Sequence, residues 1–442
     1  MYLIYSLLLG LGFVLLLPRL LLDAWRHGKY VSGLGERLGN LEKFDHGQPI
    51  IWLHCVSVGE VQGARPLVQA IRREFPNHSI AVSTVTITGQ RLAREIFKDE
   101  AKRIFYFPID WRWTVRRVLK IVRPSLVLIM ETELWPNFLR ECRQQSTPVA
   151  IVNGRLSEVS FKRYKLVRPF FARVMNCLDL AVMQTEPDAA RMRSLGLKSE
   201  RTLVSGNMKF DAGLPDPANQ VIKDLAARFH LGDEEPVLLA ASTHEPEERI
   251  VLEAFSRLRA STGLGALRLI IAPRHPERFA TVAALLDGLE LSWVRRSVPP
   301  ASTDERAQVI LLDSIGELRL LFPLASVVFV GGSIAPIGGH NVLEPAAAGA
   351  CIVTGPHTKN FDEIVKIFTA EEALVQFASA NVNDAAAVLA DVCAKLLRDP
   401  ERRRELGTRA RTLVEENRGA TDRTIQLLKT LQPTLTGSRT RP

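Results

Sequence analysis

The sequence contains no Walker A loop, no Asp-x-Asp and no C-x-x-C pair. The first absence excludes a P-loop nucleotide site. The second removes the obvious carboxylate cradle for a metal-bound nucleotide diphosphate. The third, with only five scattered cysteines, leaves no thiolate metal site. Because that count is odd, a complete intrachain disulfide framework is also excluded, which fits a reducing compartment. No repeat of solenoid period is present. A mean hydropathy of +0.04 excludes a polytopic membrane protein.

What is present is an ordinary globular composition, 46% hydrophobic and 24% charged over 442 residues, enough for two or three domains. Lys plus Arg number 57 against 48 Asp plus Glu, a net charge of +9 that points to an anionic partner. Nucleic acid, acidic lipid and a phosphorylated substrate all qualify. The basic residues have no RNP or helix-turn-helix context, which disfavours nucleic acid.

Tyr2 to Leu17 carry no charge. No basic residue precedes this run and no A-x-A site follows it, so it does not read as a cleaved signal peptide. It reads as a membrane-anchoring helix over residues 1–25, either spanning or lying in the interface. Arg19, Arg26, Lys29 and Arg37 all follow the run. The positive-inside rule then places the bulk of the protein on the cytoplasmic face of the membrane.

Beyond the anchor, short apolar runs alternate with amphipathic stretches. Strands are expected near residues 50–54, 80–85, 104–107, 126–130, 149–152, 180–183 and 202–205. After a Pro-rich linker at 213–219 the pattern restarts, with strands near 237–240, 267–272, 291–294, 309–312, 327–330, 351–353 and 373–375. Helical spacing between them predicts α/β architecture with parallel sheets. The expectation is two domains, 26–212 and 220–431, facing a cleft, then a loose tail at 432–442.

Several turns at strand ends can carry chemistry, because ligands bind at the carboxyl ends of parallel strands. Gly33–Gly39 is not one of them: its glycines are misspaced for a dinucleotide fingerprint and follow no strand. Glu60, in His54-Cys-Val-Ser-Val-Gly-Glu60, opens a helix expected over 60–75. It is either an acid favoured by the helix dipole or a general base. Glu131 and Glu133, beside Trp135, cap a helix before Pro136 or serve a site. Lys209, in Gly206-Asn-Met-Lys-Phe-Asp211, pairs with Asp211 or neutralises a departing phosphate. In the second half, Ser242–Glu245, Pro273–Pro276, Ser314–Glu317, Gly331-Gly-Ser333 and Gly338–Glu344 form glycine-rich or polar strand-to-helix turns. Such turns expose backbone N–H groups to phosphate, and Arg274 adds a guanidinium fork. The stretch from Arg155 to Arg173 interleaves basic and aromatic residues, as a solvated face or a surface for anionic lipid.

Together, the anchor, Val56-Ser-Val-Gly-Glu60, Met130-Glu-Thr-Glu-Leu-Trp-Pro136, Gly206–Asp211, Pro273–Phe279 and Gly338–Glu344 resemble the Kdo transferase family of lipopolysaccharide biosynthesis. The likeness runs from about Leu3 to Leu431. It implies a GT-B fold of two Rossmann-like domains and transfer of 3-deoxy-D-manno-octulosonic acid (Kdo) from CMP-Kdo to a phosphorylated lipid A precursor. Acceptor would bind the N-terminal half and nucleotide the C-terminal half, with inversion and without metal or cofactor. By the same resemblance Glu60 is the catalytic base, and Glu131 and Lys209 support the transition state. Pro273, Arg274, Ile315, Gly316, Glu317, Asn341, Val342, Leu343 and Glu344 contact CMP. The membrane implied is the inner membrane, with its anionic lipids. Two competitors share parts of this pattern. A sugar-nucleotide epimerase has no use for the anchor, and a membrane-bound nucleotide-sugar-binding protein has no use for Glu60, Glu131 and Lys209 together.

Overall fold

A computed structural model of the chain describes residues 1–27, 33–211, 220–231, 235–378 and 384–431, with side chains of the N-terminal helix described up to residue 15. The expected linker at 213–219 and tail at 432–442 lie outside the described residues. The chain divides into two compact units.

The first unit is built on a seven-stranded sheet: β1 (Ile50–Cys55), β2 (Ser79–Thr84), β3 (Ala101–Tyr106), β4 (Pro124–Met130), β5 (Val149–Gly154), β6 (Leu180–Met183) and β7 (Thr202–Val204). Every pairing is parallel, in the order β3-β2-β1-β4-β5-β6-β7. β1 is buried along its whole length, as a strand covered on both faces must be. Ile50 and Trp52 enter one apolar core and Ile51, Leu53 and Cys55 the other, following the two-residue period of a strand.

The second unit repeats the plan with β8 (Val237–Thr243), β9 (Arg268–Pro273), β10 (Trp293–Arg295), β11 (Val309–Leu311), β12 (Val327–Val330), β13 (Ile352–Thr354) and β14 (Val375–Gln376). Its order is β10-β11-β9-β8-β12-β13-β14, again parallel. The alternating pattern therefore located the strands of both sheets.

Three expectations shift. The helix expected over 60–75 is two helices, Val58–Gly63 and Arg65–Glu74, with Pro66 in the first turn of the second, where its missing N–H costs nothing. The chain from Asn417 onward returns to the first unit, so the second ends at Glu416 rather than at 431. Ala420, Ile425 and Leu428 of helix Ala420–Lys429 join the first unit's core. Asp211 anchors this return, accepting from the N–H groups of Gly419 (2.7 Å) and Thr421 (2.6 Å). Finally, among the described residues no helix is long and apolar enough to cross a membrane. The N-terminal helix exists, over Tyr2–His27, but nothing in its described part identifies a span.

Candidate active site

In each sheet the strand order reverses beside the first strand. That crevice is the preferred ligand position in open α/β sheets. In the first unit it opens between β1 and β4, and the candidate residues follow those two strands.

Glu60 lies in the first turn of helix Val58–Gly63 and is 5% exposed. The Val56 N–H donates to Oε2 at 2.8 Å and the Ser57 hydroxyl donates to Oε1 at 3.0 Å. Both bonds favour the carboxylate. Burial, with the nearby charges of Glu131 and Glu133, outweighs them and lifts its pKa to about 8. Glu133 is lifted to about 6, by burial first and Glu131 second. Glu131, the residue after β4, adopts a left-handed backbone at φ 53°. A non-glycine residue held there marks an over-determined position. Lys209 pairs with Glu131 (Nζ to Oε1, 3.9 Å), not with Asp211. Its stem passes over Gly63, where an added Cβ would stand 3.7 Å from Cε. The first unit thus gathers Glu60, Glu131, Glu133 and Lys209 at one strand-end crevice. His54, in the same motif, belongs to the core. It is stacked on Phe107 at 3.9 Å and bonded to Ser83, and burial depresses its pKa to about 3.

The second unit's crevice lies between β8 and β12. Here the expectation that Gly331-Gly-Ser333 offers its N–H groups to phosphate fails. Glu247, the first residue of helix Glu247–Ala260, is fully buried and takes them. Its Oε2 accepts from Gly332 (2.7 Å) and His244 (3.0 Å), and its Oε1 from Ser333 (2.9 Å), Ile334 (2.8 Å) and Ala335 (3.2 Å). A Cβ on Gly331 would stand 2.9 Å from Glu247 Oε2, and one on Gly332 2.8 Å from the His340 ring, so both neighbours depend on glycine. Glu247 was missed in the sequence. The available signal was its position, an acid opening the helix after the unit's first strand, as Glu60 does.

Arg274 follows β9, with its N–H bonded to Thr243 O at 3.0 Å and its side chain exposed. The rings of His244 and His340 stack 5.0 Å apart, with His275 edge-on to His244 at 5.2 Å. Burial lowers the pKa of His244 to about 4 and that of His340 to about 3, with the Arg274 charge contributing. Arg274 and the Gly338–Glu344 turn are therefore brought together through neutral imidazoles. Asn341 accepts from Leu343 N–H and donates to Glu344 Oε1, both at 3.0 Å, which ties Asn341–Glu344 into one rigid turn. Pro273 is the buried last residue of β9, and Val342 and Leu343 are buried too. The Ile315–Glu317 segment follows β11, which pairs with β9. Glu317 accepts from Arg296 at 2.9 Å and from the Ser314 hydroxyl, while Ile315 is 81% exposed.

Comparison with known proteins decides the family. Residues 32–212 match the model described as 3-deoxy-D-manno-octulosonic-acid transferase (kdotransferase). The 3-deoxy-D-manno-octulosonic acid transferase of Haemophilus influenzae is 35% identical over 91% of this chain and 92% of its own. The chain belongs to the Kdo transferase family. It is a glycosyltransferase of the α/β class with two parallel sheets. The transferase of Bordetella pertussis is 32% identical over 94% of this chain and 96% of its own. A solved structure described as a putative UDP-N-acetylglucosamine 2-epimerase from Listeria monocytogenes covers 89% of this chain and 98% of its own at TM-score 0.54. At 14% identity it shares the GT-B-like fold alone, so the fold does not argue for epimerase chemistry in this Kdo transferase.

Proposed function

We propose that this Kdo transferase moves Kdo from CMP-Kdo to a phosphorylated lipid A precursor at the cytoplasmic face of the inner membrane, with inversion and with Glu60 as general base. The observation that carries the reading is the state of Glu60. It is a buried carboxyl at a topological switch point, held by two donors and lifted to about 8 by burial beside two further acids. That is a group tuned to take a proton near neutral pH.

In the proposed step Glu60 removes the proton from an acceptor sugar hydroxyl. The hydroxyl oxygen bonds to the Kdo anomeric carbon as the bond from that carbon to the CMP phosphate oxygen breaks, and CMP leaves with the electron pair. The anomeric carbon passes through an oxocarbenium-like state. Lys209, oriented by Glu131, supplies positive charge in the first unit. In the second, Arg274 faces the phosphate and the Asn341–Glu344 turn receives the nucleotide, with Pro273 and Ile315–Glu317 completing the CMP contacts. Glu247 occupies the Gly332–Ala335 amides, so the phosphate is held by Arg274 and the Gly338–Glu344 turn instead.

The test is incubation with CMP-Kdo and a tetra-acylated lipid A precursor, read by mass spectrometry. The expected product gains the mass of one or more Kdo residues, and an unchanged acceptor would overturn the reading.

A further inference from the structure

The first four turns of the N-terminal helix are docked lengthwise on the first unit. At its start Tyr2 meets Phe170 edge-on at 5.4 Å, and the Arg140 guanidinium lies 4.8 Å over the Tyr2 ring. One turn on, the Tyr5 hydroxyl donates to Asp110 Oδ2 at 3.0 Å, and Asn137 Nδ2 donates to Ser6 Oγ at 3.0 Å. Two turns further, Phe13 packs edge-on against Trp111 at 5.1 Å. Asp110 is 1% exposed and also accepts the N–H groups of Asn137 (3.0 Å) and Phe138 (2.7 Å), so Tyr5 is bonded into the interior of the unit.

The opposite face of the same helix is apolar and uncovered. Leu3, Ile4, Leu7, Leu8, Leu11 and Leu15 are 57–75% exposed and recur at the spacing of one helical stripe. The surroundings of this stripe match an anionic lipid surface. Next to Phe170 lies the corner between helices Glu158–Leu166 and Arg168–Met175. It exposes Leu166 and Val167 among Lys162, Arg163, Lys165 and Arg168, with Glu158 the one acid of that stretch. At the other end Trp113, 54% exposed, stacks on Trp111 beside Phe13. Basic residues and tryptophan flanking an apolar stripe are the composition of a helix lying in the headgroup region.

Docking and spanning exclude each other. Residues 2–15 rise about 21 Å, most of a hydrocarbon core of about 30 Å. To cross, this segment would have to carry Asp110, Arg140 and Asn137 into hydrocarbon, or abandon all of them. We infer that the N-terminal helix lies in the plane of the membrane surface, docked side-on to the catalytic unit, with its leucine stripe in the lipid and its N terminus on the same side as the active site. This rests on the membrane location proposed above and specifies its geometry.

Two measurements test it. The first places an N-terminal epitope tag on the full chain and adds protease to inverted inner-membrane vesicles and to right-side-out spheroplasts. Cleavage in the inverted vesicles and survival on spheroplasts is expected, and the reverse pattern, that of a spanning helix, would overturn the inference. The second is co-sedimentation of the purified chain with phosphatidylglycerol-containing vesicles. The double variant Leu7→Glu, Leu11→Glu should bind at least tenfold more weakly, and equal binding would overturn the inference. Kdo transfer to a detergent-dispersed acceptor, assayed on the same variant, separates the two readings. Retained transfer with lost vesicle binding supports both. Vesicle binding by the parent chain without any transfer would sink the proposed activity and leave the in-plane helix standing.

Discussion

Glu60 and Glu247 occupy the same place in the two halves of the molecule. Each follows the first strand of its sheet, sits in the first turn of the next helix, and lies buried at the crevice where the strand order reverses. Their surroundings differ. Glu60 accepts from two donors and has Glu131 and Glu133 near it. Glu247 accepts from five backbone N–H groups, which offset much of the burial that raises its pKa. A carboxylate saturated by fixed amides is a structural clamp, since any proton it gained would break several bonds at once. One held by two donors among like charges has a labile proton. The position in the fold is shared, and the partner count is what separates the two carboxylates.

The largest expected effect tests this division directly. Glu60→Gln should lower Kdo transfer by about 10³-fold or more while CMP affinity by calorimetry stays within twofold. Near-normal turnover would remove the base assignment. Glu247→Ala should act in the opposite sense. It strands the amides of Gly332–Ala335, should cost at least about 3 kcal/mol in a denaturant titration, and should weaken CMP binding through loss of the loop. If the variant unfolds like the parent, the clamp reading is wrong. Lys209→Met leaves Glu131 without its cation and should lower transfer by about 10²-fold, with Lys209→Arg recovering part of it.

The smallest effect concerns pH. A base must be unprotonated, so kcat/KM should rise about tenfold per pH unit up to about 8 and then level off. Stability should run the other way. The folded pKa of Glu60 lies above the ordinary 4.5, so the folded state holds a proton that the unfolded chain has released. Its contribution is full below about 4.5 and is lost as pH rises through about 8. Glu60→Gln should flatten that slope in thermal melts across this window, and an unchanged slope would place the titration elsewhere.

Much of this was legible in the sequence. The strands of both sheets were readable because a doubly covered parallel strand is apolar over most of its length, as β12 is throughout, β1 through Leu53 and β5 through Val152. The candidate base and its partners were readable because Glu60, Glu131 and Lys209 each follow a strand within a few residues, and strand ends of one sheet share an edge. The Gly331-Gly-Ser333 turn was misread for a definite reason. Glycine frees backbone amides, but Glu247, more than eighty residues earlier in the chain, fills them. Lys209 was expected either to pair with Asp211, two residues on, or to meet a phosphate, and packing over Gly63 instead sets it beside Glu131, far back in the chain.

Local pattern therefore determined the α/β class, the two sheets, the family and the strand ends that hold the candidate site residues, because hydrophobic period and turn residues act over a few positions. Tertiary structure decided which carboxylate is filled by five backbone amides and which keeps two donors, that Asp211 and Ser205 hold the returning C-terminal helix, and that Tyr5 docks the N-terminal helix along the first unit. Those outcomes depend on hydrogen bonds between residues far apart in sequence, and a donor acquires its acceptor only when the fold brings the two within about 3 Å.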